Sequence, residues 1–248
     1  MTKRSLSTFL ATTFLALLLP LTAMASSEGG LEPSYADIGN RASLQRGAAL
    51  YMNYCAGCHS LQYQRYSRIA EDLGLSEEQV TANLIFTGAK AGETVKVAMD
   101  AGDAEAWFAK TPPDLSLEAR SRGEDWIFNY LKSFYIDETR PLGWNNKLFP
   151  GASMPNVLWE LQGIQRPVYG EAEHGAQPHL ESLELAKPGT LDHEQFDRVA
   201  RDISAFLLYV GEPAAMQRES KGVWVILFLA FFTFVAWLLK KEFWQDVH

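Results

Sequence analysis

The chain has 2 cysteines, which lie three residues apart, and a histidine directly follows the second of them. The segment reads Cys55-Ala56-Gly57-Cys58-His59, which is the pattern C-x-x-C-H. On a helix, positions i, i+3 and i+4 share one face, so both thiols and the imidazole can reach the same group. Two thiols at this spacing can bond to the two vinyl groups of a haem while the imidazole binds its iron. The pattern predicts one covalent haem c, attached through Cys55 and Cys58, with His59 as an axial ligand.

Two other chemistries use a C-x-x-C pair, and both fit this sequence less well. A thioredoxin-like redox centre needs a strand–helix–strand context, which the sequence around the pair does not indicate. A zinc site needs further ligands at finger spacing, but no other cysteine is present and His174, His179 and His193 are scattered.

The second axial ligand is predicted on a segment rich in proline and glycine. Met154 lies in the run FPGASMPN of residues 149–156, which would hold a thioether rigidly. A soft sulfur ligand opposite histidine favours ferrous iron and raises the reduction potential. A core-filling role for Met154 remains an alternative, as does a second histidine ligand from His174 or His179.

A pair of arginines follows the rigid segment TPPDLS of residues 111–116. Arginines beside a haem commonly pair with its propionates, because carboxylates at a partly buried edge need compensating charge. Arg122 is the candidate for this contact, with Arg120 beside it. A solvated surface charge is the alternative for either side chain.

The elements that position these residues are predicted to be mainly helical. A helix over residues 43–55, capped by Ser43, leads into the cysteine pair, and Gly47 would let another helix approach it closely. The predicted partner is a helix over 192–210. Shorter helices are expected over 76–87 and 122–135.

The partner helix has clear boundary signals. Asp192 and Gln195 have the spacing of a capping box, and Gly211 and Pro213 would end the helix. Its apolar stripe consists of Phe196, Val199, Ile203, Phe206, Leu207 and Val210. Upstream of it, residues 140–182 have little periodicity and are interpreted as long loops wrapped on a cofactor, with a hairpin around 187–190.

The two ends of the chain predict its relation to a membrane. Lys3 and Arg4, an apolar run and a small-residue site ending at Ala25 make a signal peptide of residues 1–25, with a retained anchor as the alternative. Near the other end, residues 222–239 contain no charge. About 18 helical residues span about 27 Å, close to the thickness of a bilayer core. A buried core helix is the alternative.

Lysines after this apolar helix predict the topology. Lys240 and Lys241 would remain on the cytoplasmic side. The predicted domains are a signal peptide (1–25), an exported haem domain (26–220), a transmembrane anchor (221–241) and a cytoplasmic tail (242–248).

The composition excludes one class of partner and favours another. The formal net charge is −8 and no basic stripe is present, so a nucleic-acid partner is not expected. Acidic charge would steer a basic protein partner. The acidic side chains between Glu171 and Glu184 are one candidate for its docking, but a solvated acidic loop is the favoured alternative.

Taken together, these motifs resemble cytochrome c1, the haem-bearing subunit of the ubiquinol–cytochrome c oxidoreductase, or bc1 complex. The similarity extends over most of the chain. Its segments are RGA (46–48), YCAGCHS (54–60), PPDLS (112–116), RSRGED (120–125), MPN (154–156), RDISAFL (201–207), EP (212–213) and the final apolar helix.

The resemblance implies a mainly α, class I cytochrome c-like haem domain with long loop insertions, plus one C-terminal transmembrane helix. The haem-binding residues that it implies are Cys55, Cys58, His59, Met154, Pro112 and Arg122. Among them, Met154 would complete the iron ligation, Arg122 would bind a propionate and Pro112 would pack on the haem edge. Two departures stand out. No spare cysteine can tie down the ligand loop, and Trp126 stands where many relatives have tyrosine.

The resemblance also implies the function. The chain would relay one electron from the Rieske iron–sulfur protein to a cytochrome c acceptor, beside cytochrome b, in a dimeric complex of the bacterial inner membrane with the haem domain in the periplasm. It would not be an enzyme on its own, so no catalytic residue is assigned. A haem peroxidase with an open sixth position and an anchored cytochrome c serving another oxidoreductase are the alternatives.

Overall fold

The computed structural model describes residues 30–170 and 179–245, and over these ranges the fold is mainly helical. The helices are α1 Arg41–Tyr54, α2 Tyr66–Leu73, α3 Glu77–Asn83, α4 Ala101–Phe108, α5 Glu118–Arg122, α6 Glu124–Lys132, α7 Trp159–Gln162, α8 His193–Gly211 and α9 Ala215–Phe243. The strands are β1 Leu61–Arg65, β2 Thr94–Val95, β3 Phe134–Ile136, β4 Trp144–Asn146, β5 Gly163–Tyr169 and β6 Leu180–Pro188. They pair antiparallel as β1–β2, β3–β4 and β5–β6. The predicted signal peptide lies outside the described residues.

Helices α1 and α8 pack closely at Gly47, as its position in the sequence predicts. A Cβ at Gly47 would lie 2.0 Å from the Asp202 carbonyl oxygen and 2.8 Å from Cβ of Phe206. The Asp202 side chain is buried and accepts hydrogen bonds from Ser43 Oγ at 2.5 Å and Arg46 Nε at 2.6 Å. This polar pairing fixes the register between α8 and α1, the helix that leads into the haem-attachment segment.

The predicted cap of α1 is wrong. The cap is Asn40, whose side-chain oxygen accepts a hydrogen bond from the Ser43 backbone N–H at 3.1 Å. Ser43 lies within the helix, because its hydroxyl faces α8 and donates to Asp202. In α8, the predicted capping box of Asp192 and Gln195 is confirmed. Five of the six stripe residues of α8 are buried and Val199 is partly buried.

The two shorter helices differ from their predicted lengths. Ser76 caps α3, but that helix ends at Asn83, and the chain adopts a positive φ of 75° at Gly88. The helix predicted over 122–135 is interrupted at Gly123, with φ of 86°, which separates α5 from α6. After Lys132 the chain becomes β3, because Phe134–Ile136 finds an antiparallel partner in Trp144–Asn146.

The region predicted as loops and a turn contains a long hairpin. Strands β5 and β6 pair from Gly163 opposite Pro188 to Tyr169 opposite Leu180. The prediction of a hairpin turn at 187–190 is therefore wrong, because these residues lie at the open end of the hairpin. There a Cβ on Gly189 would lie 2.3 Å from the Leu161 carbonyl oxygen, so a glycine is needed where the two backbones pass this closely.

The last helix is long and apolar enough to span a membrane. The candidate span is Lys221–Phe243, and none of its apolar window is buried against the rest of the chain. The alternative of a buried core helix therefore does not apply. Trp224, Trp237 and Trp244, which lie near the two ends of this segment, are also exposed.

Candidate haem site

The C-x-x-C-H segment forms one further turn beyond the end of α1. The Cys55 N–H bonds to the Tyr51 carbonyl at 2.8 Å, and the His59 N–H bonds to the Cys55 carbonyl at 2.9 Å. The second of these has the i to i+4 spacing of a helix, so the shared face expected for the two cysteines and the histidine persists without a regular helix. The buried Tyr51 hydroxyl also donates to the His59 carbonyl at 2.9 Å, which fixes the histidine backbone.

Both cysteines are free thiols. Burial raises the pKa of Cys55 to about 12, and burial also raises the pKa of the partly exposed Cys58. A thioredoxin-like centre needs the opposite shift, because the thiolate is its nucleophile. The strands described also pair only antiparallel, in two-stranded sheets. The structure therefore does not favour the redox-thiol alternative.

His59 is oriented by a backbone carbonyl. Its Nδ1 lies 2.7 Å from the Pro113 oxygen, and a carbonyl can only accept, so Nδ1 carries the proton. Nε2 then holds the lone pair that a metal binds. Burial lowers the pKa of His59, against smaller opposing effects of the Pro113 bond and the Glu118 and Asp114 charges. The ring is thus held as the neutral tautomer that an axial ligand requires.

The loop that supplies Pro113 is docked on the strand that follows the histidine. Leu115 N–H donates to the Ser60 carbonyl at 3.0 Å, and Gln62 N–H donates to Asp114 Oδ2 at 2.8 Å. Burial alone would raise the pKa of Asp114, but hydrogen bonds from Ser116, Gln62 and Ser60 outweigh it and lower that pKa. The PPDLS segment therefore acts as a brace for His59.

Met154 lies on the long connection between β4 and α7 and is partly buried. Its Sδ is 3.7 Å from the Tyr130 hydroxyl of α6. The Tyr130 ring stacks on Trp126 with centroids 4.8 Å apart, and its edge contacts Phe134 at 5.0 Å. Burial raises the pKa of Tyr130 to about 12, so the hydroxyl keeps its proton at neutral pH.

Asparagine side chains hold the Met154 loop, which the sequence did not predict. Asn146 is fully buried; its Nδ2 donates to the Tyr130 carbonyl at 2.9 Å, and its Oδ1 accepts from the N–H groups of Leu148 and Phe149. Similar amide contacts are made by Asn145 with Gly151 N–H and by Asn156 with Leu158 N–H. The expectation that packing and Pro/Gly geometry alone hold this loop is therefore incomplete. Two adjacent asparagines before a proline–glycine turn are the signal that indicates such contacts.

Arg122 lies on the Met154 side of the site. Its Nε pairs with Glu118 Oε1 at 2.5 Å, and its guanidinium carbon is 4.3 Å from the Trp126 ring and 5.4 Å from the Phe149 ring. Trp126 contacts both Arg122 and Tyr130, so the residue that departs from the family pattern links them. The neighbouring Arg120 pairs instead with Glu212 beside the end of α8, at 3.6 Å.

One charged group is close to both sides of the site. The Glu118 carboxylate partly opposes the lowering of the His59 pKa by burial and adds to the raising of the Tyr130 pKa by burial, in addition to pairing with Arg122. Pro112, the first residue of the PPDLS segment that braces His59, is partly buried. The alternative ligand His179 is exposed just before β6, at the end of the hairpin opposite residues 187–190, and His174 lies outside the described residues.

The residues present fit a covalent haem. They include two free thiols in one turn, a neutral imidazole with Nε2 available, and a thioether on a fixed loop. Several apolar side chains close to these groups in the sequence are only partly buried and pack against the core: Tyr54, Ala56, Leu115, Trp126 and Val157. Within residues 30–170 and 179–245, no group of three or more His, Cys, Asp or Glu side chains could hold a metal ion, so the zinc alternative gains no support.

The chain is similar to known proteins over most of its length. The chain matches the Cytochrome C1 family over residues 35–165 and 187–247, a range that includes all six predicted haem-binding residues. It is 50% identical over 235 residues to the cytochrome c1 of Allochromatium vinosum, covering 94% of this chain and 96% of that protein. It is 41% identical over 233 residues to the ammonia monooxygenase gamma subunit of Nitrosomonas europaea, with 94% and 95% covered. The mitochondrial cytochrome c1 haem protein of Saccharomyces cerevisiae is 26% identical over 263 residues, with 92% and 77% covered.

Proposed function

The chain belongs to the cytochrome c1 family, and we propose that it relays single electrons from a Rieske iron–sulfur protein to a cytochrome c during quinol oxidation. The family match supports a haem-bearing electron-transfer subunit of the bc1 complex, in which cytochrome b and the Rieske protein are its partners. We further propose that electrons pass from the Rieske protein to this chain and then to cytochrome c, and that the complex is dimeric.

The haem, when bound, supplies a one-electron iron centre. The chain's residues would attach and orient it: Cys55 and Cys58 would form the covalent links, and His59 would present Nε2 because Pro113 holds its other nitrogen. We assign Met154 as the opposite ligand. The observation that carries the proposal is the hydrogen bond between His59 Nδ1 and the Pro113 oxygen, which leaves Nε2 of a neutral imidazole available to bind iron. With Met154 as the second ligand, no open position would remain for a substrate.

The remaining haem contacts are assigned to Arg122 and Pro112. Arg122 offers an exposed guanidinium already held against two aromatic rings, which suits a carboxylate at the edge of the site. Its present partner Glu118 would then share it with a propionate. Pro112 is assigned to the haem edge because the PPDLS brace places it next to Pro113.

We propose that residues 1–25 are removed as a signal peptide and that residues 26–220 are exported. The segment 221–241 would anchor the domain in the inner membrane, with 242–248 in the cytoplasm. Lys240 and Lys241 at the end of the apolar helix support this orientation, because basic residues remain on the cytoplasmic side.

Purification and quinol reduction test the proposed function. The chain, carrying an affinity tag at its C-terminus, is extracted from bacterial membranes in detergent. We expect cytochrome b and the Rieske protein to copurify, and added quinol to reduce haem c, which then reduces cytochrome c. Purification without cytochrome b would indicate an anchored cytochrome of another pathway. Rapid binding of CO would indicate an open sixth position and a peroxidase-like function.

A further inference from the structure

The hydroxyl of Tyr130 is placed to donate a hydrogen bond to the sulfur of Met154. The two atoms are 3.7 Å apart, within hydrogen-bonding range for the large sulfur atom. A thioether has no proton to give, so the hydroxyl donates and the sulfur accepts.

Two ring contacts restrain the Tyr130 side chain. Its ring stacks on Trp126 at an interplanar angle of 11°, and its edge meets Phe134 at 70°. Trp126 is itself covered by the Arg122 guanidinium, which Glu118 holds in place. The hydroxyl therefore has little freedom to turn away from the sulfur.

The backbone of Tyr130 also helps to hold the loop that carries Met154. Its carbonyl accepts from Asn146 Nδ2 at 2.9 Å, and Asn146 in turn binds the N–H groups of Leu148 and Phe149. One residue of α6 thus contacts both the beginning of the Met154 loop and the sulfur atom itself. This double contact is what a residue needs if it is to set the position of the methionine.

We propose that Tyr130 is the positioning residue of Met154, and that its hydroxyl tunes the sulfur as an iron ligand. The inference rests on the proposed function, in which Met154 binds the iron. Hydrogen bonds to a ligand adjust the reduction potential of a haem. A hydrogen donated to sulfur withdraws electron density, and a weaker donor sulfur favours the ferrous state. The hydroxyl also stabilises the bound position of the methionine against competing ligands.

The test compares Tyr130→Phe with wild type, each as the full chain in detergent-extracted membranes. This substitution removes only the oxygen and keeps the stacked ring. We expect the weak methionine–iron charge-transfer absorption to persist and the reduction potential to fall. Exogenous imidazole should displace the sixth ligand at about twofold to tenfold lower concentration, the factor that one ordinary hydrogen bond represents.

A matched control is Tyr209→Phe on α8. It also removes a buried tyrosine hydroxyl, one that donates to Asp72 at 2.9 Å and accepts from Gln64 at 2.9 Å. This variant should lower the stability while leaving the reduction potential and the imidazole displacement unchanged. If both variants change the potential equally, the effect is one of general stability and the inference is wrong.

The Met154→Leu variant separates the two proposals. If it loses the charge-transfer absorption while Tyr130→Phe changes neither potential nor imidazole displacement, Met154 is the ligand and only the role of Tyr130 is overturned. If Met154→Leu keeps the absorption, the assigned ligand and the role of Tyr130 both fall.

Discussion

At the scale of single residues, the site depends on side chains that bind backbone atoms. Pro113 contributes only its carbonyl, and the three asparagines of the Met154 loop bind mainly N–H groups. These contacts allow a long irregular segment to hold a ligand without a disulfide. Asn146 is the most deeply buried of them, with no exposed surface.

We expect Asn146→Ala to destabilise the chain by about 2–3 kcal/mol, because it leaves one carbonyl and two N–H groups without their partner. The free energy of unfolding in urea checks this value. Asn83→Ala is the matched control, since its exposed amide binds only the Gln79 carbonyl. Equal effects of the two substitutions would show that Asn146 does not organise the loop.

The chemical groups of the site were easier to propose from the sequence than the contacts that hold them in place. C-x-x-C-H is a local pattern, and Met154 stands out among few methionines, so both could be found without a structure. The Asn146 and Tyr130 contacts join segments 16 and 24 residues apart along the chain. No local pattern encodes such pairs, because they depend on how α6 and the loop fold together.

At the scale of elements, the packing of α1 on α8 determines where the haem-attachment turn lies. The two backbones approach so closely at Gly47 that a Cβ would overlap the Asp202 carbonyl. We expect Gly47→Ala to force the helices apart and to destabilise the chain by about 3 kcal/mol. Thermal unfolding followed by circular dichroism measures the loss.

Gly92→Ala is the control for this substitution, because a Cβ there meets no atom within 4 Å. It should unfold at nearly the wild-type temperature. A Gly47→Ala chain that is as stable as Gly92→Ala would contradict the close packing of α1 and α8.

Helices with strong boundary signals were predictable from sequence, whereas short paired elements were not. The α8 capping box and the glycine of α1 are local or single-residue signals. Strands β3 and β4 have three residues each and exist because they pair with each other. Such pairing overrides the helical periodicity that made 122–135 resemble one continuous helix.

At the scale of the whole molecule, we expect the haem domain to fold without the apolar helix. None of the apolar window of Lys221–Phe243 is buried against the rest of the chain. We expect a chain ending at residue 220 to be exported as a soluble protein with an unchanged optical spectrum. Ultracentrifugation and spectroscopy of the soluble fraction check this. Loss of haem from the truncated chain would mean that the helix supports the site.

The optical spectrum of the oxidised protein tests the central claim most directly, namely that His59 and Met154 form the axial pair of an electron-relay haem. Wild type, Met154→Leu and the control Met99→Leu are compared in detergent-extracted membranes. We expect a low-spin c-type spectrum with the weak methionine–iron absorption in wild type and Met99→Leu. Met154→Leu should lose that absorption and have a lower reduction potential. An unchanged spectrum in Met154→Leu would contradict the claim and favour a second histidine ligand or an open position.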